Sequence, residues 1–237
     1  MYRWQHYWKK EVKEKYLFRF MSNTNLDLFL KSGAIWFSRA DQFGDKMECS
    51  RIKDLRGGKP DIEALKRNQK QYIISCWHLA DKESLAFWDT FAGSEADRRV
   101  YAVRFKTHYL LNVIQRAVFQ NEFYYRSSFT HGHVRYRKLA GLTSLEDEKI
   151  RYVAFRKEFA FRYEEEYRFV VRSERPFEHK GQNYYLSPTK ELKFDILVNP
   201  FLEKDRYRYY QEHVLSGPLK AHLKNSDLAD WLKPSLW

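Results

Sequence analysis

The sequence predicts an α+β fold: a mixed, mostly antiparallel sheet flanked by helices, in a single domain over residues 1–237. Three observations predict it. Period-two runs such as YLFRF (16–20) and VYAVRF (100–105) alternate with runs of helical spacing such as THYLLNVIQRAVF (107–119). Aromatic residues supply 18% of the chain, a large apolar content for a core and the opposite of a disordered composition. Gly (9) and Pro (6) are scarce, and no Pro/Gly/Ser-rich linker divides the chain.

YLFRF sets Tyr16, Phe18 and Phe20 on one strand face and Leu17 and Arg19 on the other. In SNTNLDLFLKSG, Ser22 to Asn25 offer N-cap side chains, Leu26, Phe29 and Leu30 keep helical spacing, and Gly33 sits where a C-cap belongs. IWFS (35–38) follows as a strand. Residues 40–70 read as a polar loop entering a short helix from Asp61 to about Asn68. YIISCWH (72–78) is a buried strand, and ESLAFWDTFA (83–92) a helix with Leu85 and Trp88 facing inward. After the 100–105 strand and 107–119 helix, HVRYR (133–137) reads as a strand and 144–160 as a charged amphipathic helix. FRYEEEYRFVV (161–171), NYYLS (183–187) and FDILV (194–198) read as strands, the last stopped by Asn199-Pro200. Helices at about 201–214 and 218–232 close the chain.

The 43 Lys+Arg against 31 Asp+Glu leave a formal net charge of +12, so an anionic partner, nucleotide or nucleic acid, is expected. Plain solubility explains the same excess. No run of about 18 apolar residues is present to span a bilayer, and no membrane partner is expected. The opening MYRWQHYWKK carries no apolar run with a small-residue cleavage site, and Cys49 and Cys76 are too few for a disulfide framework. The expectation is a cytoplasmic protein. Composition leaves the oligomeric state open.

Glu164-x-Glu166-x-Arg168 is the sharpest local feature, because alternate strand residues share a face. One reading is an exposed face of paired charges; the other is a cleft wall in which a carboxylate stabilises positive charge. Arg19 interrupts an apolar strand and either pairs with a carboxylate or grips a phosphate. Ser75-Cys76-Trp77-His78 joins polar and aromatic groups, with Trp88 nearby; the indoles belong either to the core or to a stacking platform. Asp41, Asp45 and Glu48 cap backbone or hold a cation, and His131-x-His133 has metal-compatible spacing without a further ligand at a recognisable distance. Basic-aromatic stretches (RWQHYWKK, FYYRSSF, HVRYRK, KDRYRYY) have the composition of nucleic-acid grooves. No GxGxxG, P-loop or GxSxG is present, so nothing supports Rossmann, Walker or α/β-hydrolase readings.

The ordered blocks YLFRF…N…L…G-IWFSRADQFGDKMEC, SCWH…ES-AFW and K-x-F…E-x-E-x-R resemble the bacterial family catalogued as domain of unknown function 2971. They fall on Arg19; on Trp36, Ser38, Phe43, Asp45 and Glu48; on Cys76, Trp77 and Trp88; and on Lys157, Glu164, Glu166 and Arg168, over about residues 16–200. The layout of a strand with Arg, a helix ending in Gly, a second strand and a late Glu-x-Glu is similar to that of ADP-ribosyltransferases. That resemblance implies an NAD-dependent transferase, of the kind used in toxin or phage-defence systems, acting on nucleic acid or protein. On it, Arg19 binds NAD, Ser75 supports the middle of the site, Glu166 acts in catalysis and Glu164 orients the acceptor. Trp77 and Trp88 are candidates to stack on nicotinamide, and Ser38 and Arg168 complete the candidate NAD-binding set. Two other readings stand beside it: a non-catalytic nucleic-acid-binding or regulatory domain, and a metal-dependent nuclease using Asp41, Asp45 or Glu48.

Overall fold

The computed structural model describes residues 12, 14–45, 47–50, 62–92, 100–122, 127–138, 153–187, 193–200, 219 and 221–228. Its elements run β1 (Tyr16–Ser22), α1 (Asn23–Ser32), β2 (Ala34–Arg39), a 3-10 turn (Ala40–Gln42), α2 (Ile62–Gln69), β3 (Tyr72–Ala80) and α3 (Leu85–Ala92). They continue β4 (Val100–Lys106), α4 (Thr107–Glu122), β5 (Ser127–His133), β6 (Arg135–Arg137), β7 (Arg156–Glu158) and a 3-10 helix (Phe159–Glu164). β8 (Glu166–Ser173), β9 (Gly181–Tyr185), β10 (Phe194–Val198) and β11 (His222–Asn225) complete them. The class is α+β with mostly antiparallel pairing, as the periodicities predict. No helix among the described residues is long and apolar enough to cross a membrane.

Two compact units are present. The first draws on Ile35–His78 and Gln115–Tyr184, the second on Trp8–Ala34, Leu79–Ile114 and Tyr185–Trp237.

In the second unit, β4 lies antiparallel between β1 and β10, and β11 runs parallel to β10. The helix after β1 forms where its caps allow: the Ser22 hydroxyl accepts from Asn25 N at 3.3 Å, and Gly33, at φ 65°, donates its N–H to Phe29 O at 2.8 Å. Leu26, Phe29 and Leu30 are its buried stripe. Phe18, Phe20, Trp88, Ala102 and Leu197 form a core whose rings each contribute about 2 kcal/mol on burial. Trp88 meets Phe20 edge-on at 4.9 Å and donates its Nε1–H to Glu83 Oε2 at 2.9 Å. Glu83 also accepts from Ser226 Oγ and Asp227 N, which ties the end of β11 to the start of α3.

In the first unit the strand order is β9-β2-β3-β8-β5, with β6 and β7 forming a separate parallel pair. β8 sits antiparallel between β3 and β5, with Arg168 opposite Cys76 on one side and Gly132 on the other. One face packs Ala40, Cys49, Tyr72, Ile74, Val153, Ala154, Phe155 and Val170. Where β9 meets β2, Gly181 lies against the Trp36 indole and the Phe37 carbonyl.

Several expectations are corrected. The strand predicted over 161–171 begins only at Glu166; Phe159–Glu164 is a 3-10 helix, and Glu165, at φ 40°, turns the chain between them. Tyr163 lies on that helix and is exposed. The helix predicted over 144–160 falls mostly outside the described residues, and Arg156–Glu158 pairs as β7 instead. The predicted 133–137 strand divides between β5 and β6. β11 replaces part of the predicted 218–232 helix, while the 201–214 helix lies outside the described residues. Leu85, expected to face inward, is exposed.

An added Cβ at Gly181 would lie 2.3 Å from the Phe37 carbonyl oxygen and 2.3 Å from Trp36 Cζ2. Gly181→Ala should therefore destabilise the protein by about 1–3 kcal/mol, read from chemical denaturation. An unchanged midpoint would mean that β9 can shift away from β2 at no cost.

Candidate functional site

The site grows from one side chain. β8 is flanked on both edges, so a residue pointing into the packed face meets no water, and Arg168 is fully buried there. Such a guanidinium requires anions and acceptors. Arg168 Nη1 donates to Glu48 Oε1 at 2.6 Å and to Ala154 O at 2.8 Å. Its Nη2 donates to Glu48 Oε2 at 3.0 Å and to Glu166 Oε2 at 2.9 Å. The fork on Glu48 is bidentate, the strongest geometry for this pair.

Backbone capture holds Glu48 in place. Gln69 Nε2 donates to Glu48 O at 2.9 Å, Asn68 Nδ2 donates to Cys49 O at 2.7 Å, and an Arg156 Nη2–H reaches Ser50 O. Cys49 takes a left-handed φ of 53° within this turn. The Met47 N–H is bound by Asp45 Oδ1 at 2.9 Å.

Glu166 is the next link. Its N–H donates to Tyr136 Oη at 2.8 Å and its C=O accepts from Val134 N at 2.9 Å, with Cys76 on the same face as its carboxylate. Lys157 on β7 lies between two acids, with Nζ 2.6 Å from Glu164 Oε2 and 3.8 Å from Glu166 Oε2. His78 Nδ1 donates to Glu164 O at 2.9 Å, fixing the imidazole tautomer. Register explains the company: Cys76 faces Arg168 and His78 faces Glu166 across the β3–β8 ladder, so all four side chains share one face.

The two glutamates are displaced in opposite directions. Burial alone would raise the Glu166 carboxyl, but the charge and hydrogen bond of Arg168, with Lys157 and the Cys76 thiol, hold it below the usual carboxylate range. For Glu164 burial outweighs its lysine partner and pushes the carboxyl up. Burial, then the Glu166 charge, pushes the Cys76 thiol well up, so it stays protonated. Burial also lowers His78 and keeps its ring neutral near pH 7.

The structure thus brings Glu164, Glu166 and Arg168 together and joins to them Glu48, Lys157, Cys76, His78 and Tyr136. It does not bring Ser75 or Trp77 to them. Ser75 pairs with Phe169 and Trp77 with Tyr167, which puts both on the opposite face of β3 from Cys76. There the Ser75 hydroxyl accepts from Trp77 Nε1 at 3.0 Å, and both residues are buried. Their assignment to a cofactor site with Glu166 is corrected on parity. Arg168 is likewise enclosed by its partners, leaving it no surface for a cofactor. Ser38 on β2 accepts from the exposed Trp36 Nε1 at 2.8 Å. Arg19 and Trp88 belong to the second unit, Arg19 half-buried opposite Val103 and Trp88 fully buried in the core, which removes it as a stacking platform.

The nuclease reading needed carboxylates converging on one cation. Instead Asp41 is paired with Arg39 at 2.7 Å, Asp45 caps Met47, and Glu48 is spent on Arg168. Among the described residues no group of His, Cys, Asp or Glu is placed to hold a metal ion. His131 shares a hydrogen bond with Tyr167 Oη at 2.6 Å.

No protein-family model matches this chain, and no curated protein or solved structure matches it either.

Glu48→Gln removes one anion from a guanidinium that stays buried, and should cost about 3 kcal/mol in urea denaturation. A loss below about 1 kcal/mol would place the weight on Glu166 and the Ala154 carbonyl instead. Carboxyl-carbon NMR should show Glu164 titrating above and Glu166 below the usual glutamate range. Glu166 then contributes stability at neutral pH that is lost as pH falls through its lowered midpoint; Glu164, held high, opposes folding once ionised. Lys157→Met should raise the Glu164 midpoint further, and Glu166 less, because Arg168 remains beside it. Coincident midpoints in the unmodified protein would overturn this assignment.

Proposed function

We propose that the chain is an enzyme of the ADP-ribosyl-transfer type, with NAD as substrate and Glu166 and Glu164 as its working carboxylates. The observation that carries the reading is the Glu164–Lys157–Glu166 arrangement, in which one ammonium bridges two acids of opposite displacement. Such divergence separates an ionised group from one that takes up a proton readily. The reaction class is taken from the layout similar to that of ADP-ribosyltransferases, a strand with Arg, a helix ending in Gly, a second strand and a late Glu-x-Glu.

In that class the C1′–N bond of the nicotinamide riboside breaks, its electron pair leaves with neutral nicotinamide, and an acceptor oxygen or nitrogen bonds to C1′ with loss of a proton. Positive charge develops at the sugar carbon, and a fixed anion nearby stabilises it. Glu166 suits that role, ionised at neutral pH and held by Arg168, Lys157 and Tyr136 so that it needs no reorganisation. Glu164, the more exposed acid, suits the acceptor's proton or hydroxyl. Lys157 and Arg168 are positioning residues, since they act through the glutamates.

The non-catalytic reading also has an observation behind it: Glu166 and Arg168 belong to a buried ion-pair network that by itself would serve folding. One variant separates the two. Glu166→Gln keeps an amide oxygen for Arg168 and should fold. NAD consumption by the unmodified chain should fall at least about 100-fold in Glu166→Gln, the scale of removing one preorganised electrostatic group. An unmodified chain that leaves NAD intact, or a variant that consumes it equally, would return the carboxylates to a structural role.

A further inference from the structure

The stretch that positions Glu166 also builds a surface. β6 alternates exposed Arg135, half-buried Tyr136 and exposed Arg137, so the two guanidinium-bearing residues share a face while Tyr136 turns inward to Glu166 N. Exposed Lys138 follows. β6 pairs with β7 in the register Arg135 to Arg156 and Arg137 to Glu158, and the 3-10 helix after β7 packs against β6. That helix presents two large rings, Phe159 at 45% and Tyr163 at 62% exposure. Arg162, one 3-10 turn beyond Phe159, lies over the Phe159 ring at 4.9 Å. Three carboxylates lie in the same stretch: Glu158, whose Oε1 accepts from Phe159 N at 3.1 Å, half-buried Glu164, paired with Lys157, and exposed Glu165. Arg135, Arg137, Lys138 and Arg162 outnumber them, and the chain as a whole carries +12.

We infer that this face of β6 and the Phe159–Glu164 helix docks single-stranded nucleic acid. Arginines beside exposed rings meet the two needs of such a strand, phosphates for the cations and unstacked bases for the rings. A duplex hides its base faces and leaves the rings without work. An acidic peptide would answer the charge but not the ring faces. The inference stands on the surface alone and does not need the carboxylates to be catalytic. If they are, the docked strand is the acceptor class that lies nearest, because Val134, Tyr136 and Lys157 tie this face directly to Glu166.

Fluorescence anisotropy with a labelled oligothymidylate of roughly 12 nucleotides tests it, against a duplex of equal length, polyglutamate and anionic vesicles. The full chain should prefer the single strand, with affinity falling linearly on a log–log salt plot. Phe159→Ala with Tyr163→Ala should weaken single-strand binding about 10-fold or more at an unchanged salt slope, because only stacking is lost. Arg135→Gln with Arg137→Gln should instead flatten the slope by about 1 to 1.5. Melting curves of both double variants check that these exposed positions leave the fold intact. No single-strand binding at low salt, a ring variant that binds like the parent, or a duplex, polyglutamate or vesicle bound as tightly would overturn the inference. NAD consumption measured on the same preparations tells the two readings apart, since either can fail while the other stands.

Discussion

The Arg168 guanidinium, closed off from water, is the constraint on which the first unit depends. Removing such a charge from solvent costs several kcal/mol before compensation. Its compensation comes from three separate places: the turn that carries Glu48, the Ala154 carbonyl before β7, and Glu166 at the start of β8 itself. Each must be at its station for the others to be tolerable. The position of Glu166 is therefore set by the need to neutralise Arg168. Lys157 and Glu164 are arranged around Glu166 in turn.

This coupling gives one residue two lives. A carboxylate whose charge helps offset the buried Arg168 is also, for the same reason, a permanent anion at the border of the packed face. Stability and electrostatic preorganisation then draw on a single set of hydrogen bonds, so a change aimed at one is felt by the other. The number of basic residues is correspondingly a poor guide to how many face solvent, although neutral internal pairs leave the net excess on the remaining residues. Arg39, Arg104 and Arg168 all serve internal pairs, with Asp41, Asp195 and Glu48 respectively.

Local signals gave the regular elements and failed where distant contacts decide. Ser22 and Gly33 mark both ends of α1, and Asn199-Pro200 follows the last residue of β10, because caps and breakers act within a few residues. Glu166 and Arg168 were legible as neighbours because they do sit two apart on one strand. Glu164 lies off that strand, and alternation along FRYEEEYRFVV cannot reveal a left-handed residue at Glu165. Ser75 failed for a different reason. Its face relative to Glu166 depends on which residue of β8 it pairs with, and pairing across 90-odd residues leaves no local trace. Glu48 shows the same blindness, since its partner lies 120 positions away.

The bend at Glu165 has one more consequence. Glu166 rides on the pleat of β8, while Glu164 rides on a short helical turn whose length no ladder fixes. Gaining or losing a residue within Phe159–Glu164 would resize the gap between the two acids without shifting the strand register or disturbing Arg168. The outer acid is thus adjustable by small changes of chain length, whereas the inner one is locked. Descendants of this sequence could try new spacings for one carboxylate without rebuilding the sheet that holds the other.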